Sequence, residues 1–249
     1  SKGEGLGNKF LTHIREVDAI AEVVRAFTDK DVIHVVNKID PLGDVEVINL
    51  ELILADAETV AKRQTSLAKD VRRGDKDATA ENNLLLKLGA ALEAGKLISA
   101  LELGDEEKIL LKSLHLLTAK PVLYVVNTSA AGENLQSKLP GASVEVDPIF
   151  GTGLDNLIKE SYRLLNLITF FTTGADETRA WTIKKGGTAP EAGMAIHTDF
   201  KEKFIRAEVI NWQTLLDAGS YGNARERGLL RTEGKEYVVQ DGDVVEFKT

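Results

Sequence analysis

Asp40-Pro41-Leu42-Gly43-Asp44-Val45-Glu46-Val47-Ile48-Asn49-Leu50-Glu51-Leu52-Ile53-Leu54-Ala55-Asp56 is where the fold of this chain is decided. The first five residues are turn chemistry, because Pro fixes φ and Gly frees it. Past them, Leu50, Ile53, Ala57, Val60, Gln64, Leu67 and Val71 step by three and four alternately, a heptad seam with one polar interruption. Arg72-Arg73-Gly74-Asp75-Lys76-Asp77 reads as a charged hairpin tip, and Leu84, Leu88, Ala91, Gly95 and Ile98 give a returning helix. The expectation is an antiparallel α-helical hairpin projecting from a first domain. Two core helices of a compact domain would fit the same pattern. Asp105-Glu106-Glu107 supplies an N-cap and an acidic first turn for a third helix bearing Leu110, Leu111, Leu114 and Leu117.

On the N-terminal side, Phe10, Ile14 and Val17 have helical spacing. Asp18-Ala19-Ile20-Ala21-Glu22-Val23-Val24-Arg25-Ala26-Phe27 and Val32-Ile33-His34-Val35-Val36 are short apolar runs suited to buried strands. On the C-terminal side, Pro121-Val122-Leu123-Tyr124-Val125-Val126-Asn127 returns to that strand pattern. Residues 128–148 read as polar and irregular, and Gly151-Thr152-Gly153-Leu154 opens a helix running to about Leu165. Then the pattern changes. Ile168-Thr169-Phe170-Phe171, Ala180-Trp181-Thr182-Ile183, Ile205-Arg206-Ala207-Glu208-Val209-Ile210, Tyr237-Val238-Val239 and Val244-Val245-Glu246-Phe247 are short strands bounded by Gly and Asp. A helical insert covers 212–218, and a domain boundary is expected near Asn166.

Composition narrows the class. With 43% hydrophobic and 28% charged residues in 249, the chain can build real cores in one to three domains. A net charge of −8 excludes a uniformly basic nucleic-acid-binding surface but not a local patch. The absence of cysteine removes disulfides, thiolate metal sites and thiol switching, and points to a reducing cytoplasm. No apolar run reaches membrane-spanning length and no signal peptide opens the chain, so no membrane partner is expected. The first residue is Ser, which fits a trimmed or incomplete N-terminus.

Two strand ends compete to read a nucleotide base. Asn37-Lys38-Ile39-Asp40 matches N-K-x-D, in which an Asp carboxylate accepts from the guanine N1–H and amine. Asn127-Thr128-Ser129 also ends a strand, where parallel folds bind ligands. Gly3, Gly5 and Gly7, with Asn8, read as a mobile switch loop or as a flexible tail. Yet no G-x-x-x-x-G-K-[ST] loop to cradle phosphates occurs in the sequence. His13, His34, His115 and His197 lack metal-ligand spacing, Glu106-Glu107 read as solvated helix-start residues, and no nucleophile triad is suggested, so no catalytic residue and no metal site is assigned. Arg179, Lys184, Lys185, Lys201, Lys203 and Arg206 outnumber the acids of their interval six to three, with Trp181, Phe200 and Phe204 interleaved. That is an RNA-facing patch, or a solvated face over sheet-core aromatics.

Several stretches together resemble the YchF/Obg-like ATPase family. Ser1-Lys2-Gly3-Glu4-Gly5-Leu6-Gly7-Asn8 with Phe10-Leu11-Thr12-His13-Ile14-Arg15 is similar to its region after switch II, and the opening stretch quoted above to its entry into the helical hairpin. Leu167-Ile168-Thr169-Phe170-Phe171-Thr172, Arg179-Ala180-Trp181-Thr182-Ile183, Ile196-His197-Thr198-Asp199-Phe200 and Val239-Gln240-Asp241-Gly242-Asp243 resemble its TGS domain.

The resemblance implies an α/β fold in four parts: a partial P-loop G domain (1–49), an antiparallel helical coiled-coil hairpin (50–117), the remainder of the G domain (118–166) and a β-grasp, ubiquitin-like TGS domain (167–249). It also implies hydrolysis of ATP, or GTP, with Mg²⁺, and association with the ribosome, through its large subunit or rRNA. No DNA specificity is implied. In the family frame Asn127 falls on the base-reading N-x-x-E, with Ala130 in place of the Glu, while Asp40-Pro41 fall on the turn before the hairpin. The segment 132–151 looks shorter than the family's linker. Gly3, Gly5, Gly7 and Asn8 would be switch II residues, Asn127, Thr128 and Ser129 base contacts, and the phosphate loop, switch I and Mg²⁺ ligands have no counterpart. The expectation is thus an N-terminally truncated ATPase, inactive by itself. The alternatives are a non-catalytic ribosome- or RNA-binding module and a GTPase reading guanine through Asn37 to Asp40.

Overall fold

The computed structural model describes residues 4–27, 39–128, 135–174 and 176–249, the side chains of 4–9 excepted. The chain divides into two compact units, Ser1–Leu164 and Leu165–Thr249.

In the first unit α1 (Glu4–Glu16) leads to β1 (Ile20–Arg25), followed by α2 (Pro41–Arg72), α3 (Lys76–Glu93), α4 (Asp105–Leu114), β2 (Val122–Asn127), β3 (Ala142–Val146) and α5 (Leu154–Leu164). The strands form a parallel sheet in the order β1-β2-β3, with Ile20 beside Val122 and Leu123 beside Ala142. The run in β2 is apolar throughout because both faces are covered. Tyr124 and Val126 pack with Val24, Val45 and Leu139, while Leu123 and Val125 pack with Val144, Val146, Leu157 and Leu164. The segment 128–148, read from the sequence as irregular, therefore contains a strand: Ser143 and Glu145 alternate with the buried Val144 and Val146.

The antiparallel hairpin is present. Ile53, Val60 and Leu67 of the seam bury against Ala78, Leu84, Leu85, Leu88 and Leu92. Gly74 turns the tip at φ 79°, a conformation that favours glycine, and the Asp75 side chain caps α3 by accepting from the Ala78 N–H. Arg63 holds Glu81 across the pair at 2.6 and 2.8 Å. Leu50, expected to start the seam, is 53% exposed, and α2 begins earlier, at Pro41, where Asp40 Oδ1 accepts from the Gly43 N–H. The hairpin boundary expected at residue 50 thus falls inside one continuous helix. Gly95 is past the end of α3, at φ 71°.

The hairpin base is locked by a carboxylate. Asp56 is fully buried and accepts from the Leu117 N–H (3.0 Å), the Thr118 N–H (2.7 Å), the Thr118 hydroxyl (2.8 Å) and Arg15 Nη1 (3.4 Å). Arg15 also donates to the His115 carbonyl, which the left-handed backbone at φ 48° presents at the end of α4. One carboxylate and one guanidinium therefore tie α1, α2 and the approach to β2 together.

The second unit runs β4 (Leu167–Thr173), β5 (Thr178–Lys184), α6 (Ala189–Ile196), α7 (Thr198–Glu202), β6 (Arg206–Asn211), α8 (Trp212–Ala218), α9 (Tyr221–Glu226), β7 (Arg231–Glu233) and β8 (Asp243–Lys248). The mixed sheet has the order β5-β4-β8-β6-β7, with β4 and β8 parallel at its centre. Ile168, Phe170, Val209 and Val245 pack with Ala189 and Ala192 of α6. Ile210 and Val244 pack with Ala218 and Ala224 of α8 and α9. Tyr237-Val238-Val239 is no sheet strand. Its backbone instead joins the approach to α6, with the Ala189 N–H donating to Tyr237 O and the Val239 N–H to Gly187 O. The fifth strand is the unforeseen Arg231–Glu233.

Candidate nucleotide-base site and basic faces

The carboxyl ends of β1 and β2 place Asn127 beside Arg25 and Val146. The Asn127 carbonyl accepts from the Ala26 N–H, and the Thr128 N–H donates to Val146 O, so three strand ends are stitched together. Beside them, on the β3 side, lies a cavity of about 510 Å³ lined by Thr128, Gln136, Ser143, Glu145, Asn156 and Lys159 among others. Thr128 lines it and Asn127 does not. Ser129 lies outside the described residues, as do Ala130, Asn37 and Lys38.

The turn from β3 into α5 shapes that cavity. Asp147 Oδ1 accepts from the Ile149 and Phe150 N–H groups. Gly153, at φ 82°, passes so close to β3 that a Cβ would meet Glu145 O at 2.0 Å. The lining is mostly polar, with Val144 as an apolar element and side chains able to donate and to accept, which suits a planar heterocycle with edge hydrogen-bonding groups.

Other expected residues fall elsewhere. Gly5, Gly7 and Asn8 belong to α1 and have helical backbone, not that of a loop, while Gly3 is outside the described residues. Asp40 spends its carboxylate on the N-terminus of α2. His115 is in the left-handed turn ending α4, and His197 caps the five-residue α7. Among the described residues no group of three or more His, Cys, Asp or Glu could hold a metal ion.

The basic set does not form one patch. Sheet register puts Arg179, opposite Thr172, and Arg206, opposite Lys248, at one end, and Lys184, opposite Leu167, at the other. Lys203 is paired with Asp199 at 2.8 Å. Phe200 and Phe204 lie against Phe247, with ring centroids 5.8 and 6.4 Å apart, so their interleaving with basic residues reflects core packing. Trp181 is covered by the Arg179 guanidinium at 4.2 Å, and its indole N–H donates to Thr172 Oγ1.

A second pocket was not foreseen. A groove of about 400 Å³ runs between α1, β1 and α2, lined by Phe10, Ile14, Ile20, Val24 and Ile48, with Glu22 facing it. Glu22 Oε2 is buried without a hydrogen-bond partner among the described residues, and burial pushes the carboxyl from 4.5 up to about 7. Nearby, Asn49 Nδ2 donates to the Tyr124 hydroxyl, whose pKa burial also raises. The visible signal was a lone Glu inside an apolar strand.

The fold is that of an α/β protein with a helical hairpin inserted between the strands of a parallel sheet, followed by a mixed-sheet domain. Residues 167–249 match the YchF-GTPase_C family, described as a protein of unknown function (DUF933). The ribosome-binding ATPase YchF of Bacillus subtilis is 48% identical, over all of this chain and 77% of that protein. Its Haemophilus influenzae counterpart is 41% identical over the same shares. The solved structure of the Schizosaccharomyces pombe YchF GTPase superposes with a TM-score of 0.88 at 35% identity, covering all of this chain and 76% of the other. The chain belongs to the YchF family. The alignment with the Bacillus protein runs over 283 positions against 249 residues here, so that relative carries internal residues without a counterpart in this chain.

Proposed function

We propose that this chain supplies the base-holding and ribosome-contacting parts of a YchF-type nucleoside triphosphatase. The observation that carries this reading is the polar cavity at the carboxyl end of the parallel sheet, with Thr128 on its wall and Asn127 at the adjoining strand end. The relatives' names, ribosome-binding ATPase and GTPase, supply the chemistry and the partner. The nucleotide is ATP or GTP, and the partner is the ribosome, at its large subunit or rRNA. A cytoplasmic location goes with that partner, and among the described residues no helix is long and apolar enough to cross a membrane.

Residues to hold Mg²⁺ and a triphosphate do not fit anything in this sequence, since no G-x-x-x-x-G-K-[ST] loop is present. No hydrolytic step is therefore assigned to these side chains, and by itself the chain binds without turning over. The second reading is a non-catalytic ribosome- or RNA-binding module. Guanine reading through Asn37 to Asp40 is opposed by the use of Asp40 as a helix cap.

Calorimetry with adenosine and guanosine nucleotides tests the reading, together with co-sedimentation on purified ribosomes. Thr128→Val should weaken nucleotide binding about tenfold, the loss of roughly one buried hydrogen bond, without changing sedimentation. No nucleotide binding by the parent chain, with sedimentation intact, would leave the binding module as the function.

A further inference from the structure

The nucleotide reading leaves the groove between α1, β1 and α2 unused, because its own cavity lies at the other edge of the sheet, beside β3. The walls of the groove are mostly apolar: Phe10 and Ile14 come from α1, Ile20 and Val24 from β1, Ile48 and Leu52 from α2. At about 400 Å³ it has the size of a small-molecule pocket. Phe10 and Ile48 are both exposed, so the groove opens to solvent.

Two oxygen atoms there, Glu22 Oε2 on the wall and Asn49 Oδ1 behind it, are buried without a hydrogen-bond partner among the described residues. Glu22 lies beside Tyr124 in the register of β1 and β2, and Asn49 Nδ2 donates to the Tyr124 hydroxyl at 3.4 Å. Both orphans therefore belong to one polar cluster beneath α2. A buried acceptor without a donor is destabilising, and a donor entering from the groove would relieve it. The charge of the lining favours a cationic donor. Glu22, Asp44 and Glu51 line the groove against one base, Arg25, whose guanidinium lies 4.8 Å from the Phe27 ring and whose Nε donates to the Phe27 carbonyl.

We infer that this groove binds an organic ammonium ion, with the charged nitrogen on Glu22 and the hydrocarbon body between Ile14 and Ile48. The ammonium supplies the donors that the orphan oxygens lack, the acidic lining attracts its charge, and the apolar walls take its body. A bare metal ion is a poorer match, since the described residues hold no group of three or more His, Cys, Asp or Glu to ligate it. An anion would meet three carboxylates.

Ionisation of Glu22 is part of this recognition. Burial pushes its carboxyl up to about 7, so the charge that holds the cation is lost as pH falls below that value. The other titratable or charged groups facing it are Tyr124 on β2, Arg25 on β1, and Asp44 and Glu51 on α2; α1 contributes none to the lining. Glu22→Gln keeps all of them, so the difference between parent and variant isolates Glu22.

The test titrates the full chain with phenylbutylammonium, phenylbutanol and ammonium chloride, followed by backbone amide resonances. Phenylbutylammonium should give saturable shifts along α1, β1 and α2. Phenylbutanol, which has the body without the charge, should bind about tenfold more weakly or less, and ammonium, which has the charge without the body, should not saturate. Glu22→Gln should weaken phenylbutylammonium about tenfold, and the parent's affinity should fall about tenfold or more between pH 8 and pH 5.5 while the variant's stays level. No saturable shift with phenylbutylammonium, equal binding of phenylbutanol, or an unchanged affinity in Glu22→Gln overturns the inference. None of these readouts involves a nucleotide, so failure of the base-site reading leaves the test intact.

Discussion

The base of the helical hairpin and the flank of β1 each bury a carboxylate, and they treat it in opposite ways. Asp56 is fully enclosed, and four donors from Arg15, Leu117 and Thr118, two separate parts of the chain, surround it. Glu22 is only half-buried, yet one oxygen finds no donor among the described residues, and its acid strength falls to a pKa of about 7. Depth of burial therefore does not decide whether a charge is tolerated; the donors aimed at it do. At the hairpin base the carboxylate works as a structural bolt, whereas on the flank of β1 it is a strain that protonation relieves.

Breaking the bolt should have the largest effect. Asp56→Ala leaves two buried N–H groups and the Arg15 guanidinium without their acceptor, and should cost about 3–5 kcal/mol of the first unit's stability in urea denaturation. A loss under about 1 kcal/mol would show that water replaces the carboxylate and that the contrast with Glu22 is empty.

Glu22→Gln should act in the other direction. The folded pKa is raised, so the parent's stability is fully present below 4.5 and is lost as pH rises through about 7. The substitution should stabilise the chain by about 1–2 kcal/mol at pH 8, after allowance for solvent reaching the half-open groove, and change little at pH 4. A parent and a variant with parallel pH profiles between 4 and 8 would remove Glu22 from the comparison.

Asp40 and Arg63 extend the series to exposed sites. Asp40→Ala removes the cap hydrogen bond to the Gly43 N–H and should cost about 1 kcal/mol, read as earlier amide exchange in the first turn of α2. Arg63→Met, which breaks the paired contacts with Glu81, should change stability by about 0.5 kcal/mol or less and lose even that in high salt. A larger effect at Arg63 than at Asp40 would reverse the expected order.

Much of this fold was legible as local pattern. The seam of α2 and α3 and the apolar run of β2 are periodic over enough residues to exclude other elements. β3 was hidden because Ala142-Ser143-Val144-Glu145-Val146 is short and flanked by Gly141 and Pro148. Arg231–Glu233 has no apolar signature at all, and only its register with β6 makes it a strand. Asn127 was readable as a strand end. The cavity beside it was not, since its wall depends on Gly153 meeting β3, a contact made by tertiary approach. Asp56 looked like one more polar residue of a long helix, because its partners at Leu117 and Thr118 lie some sixty residues away. Phe200 and Phe204 misled for the complementary reason: neighbours in sequence to basic residues, Phe204 is buried in the core and the half-buried Phe200 leans on Phe247.

The unbroken helix α2 has a mechanical consequence. Fixed at Asp56 by its bolt, it continues to Arg72 without a proline, and at 1.5 Å per residue that outer arm is about 24 Å long. A tilt of roughly five degrees about Asp56 would therefore swing the Gly74 tip through about 2 Å, enough to make or break a hydrogen bond there. The hairpin is a lever whose fulcrum is a single carboxylate, and Arg15 is the hand that α1 lays on it.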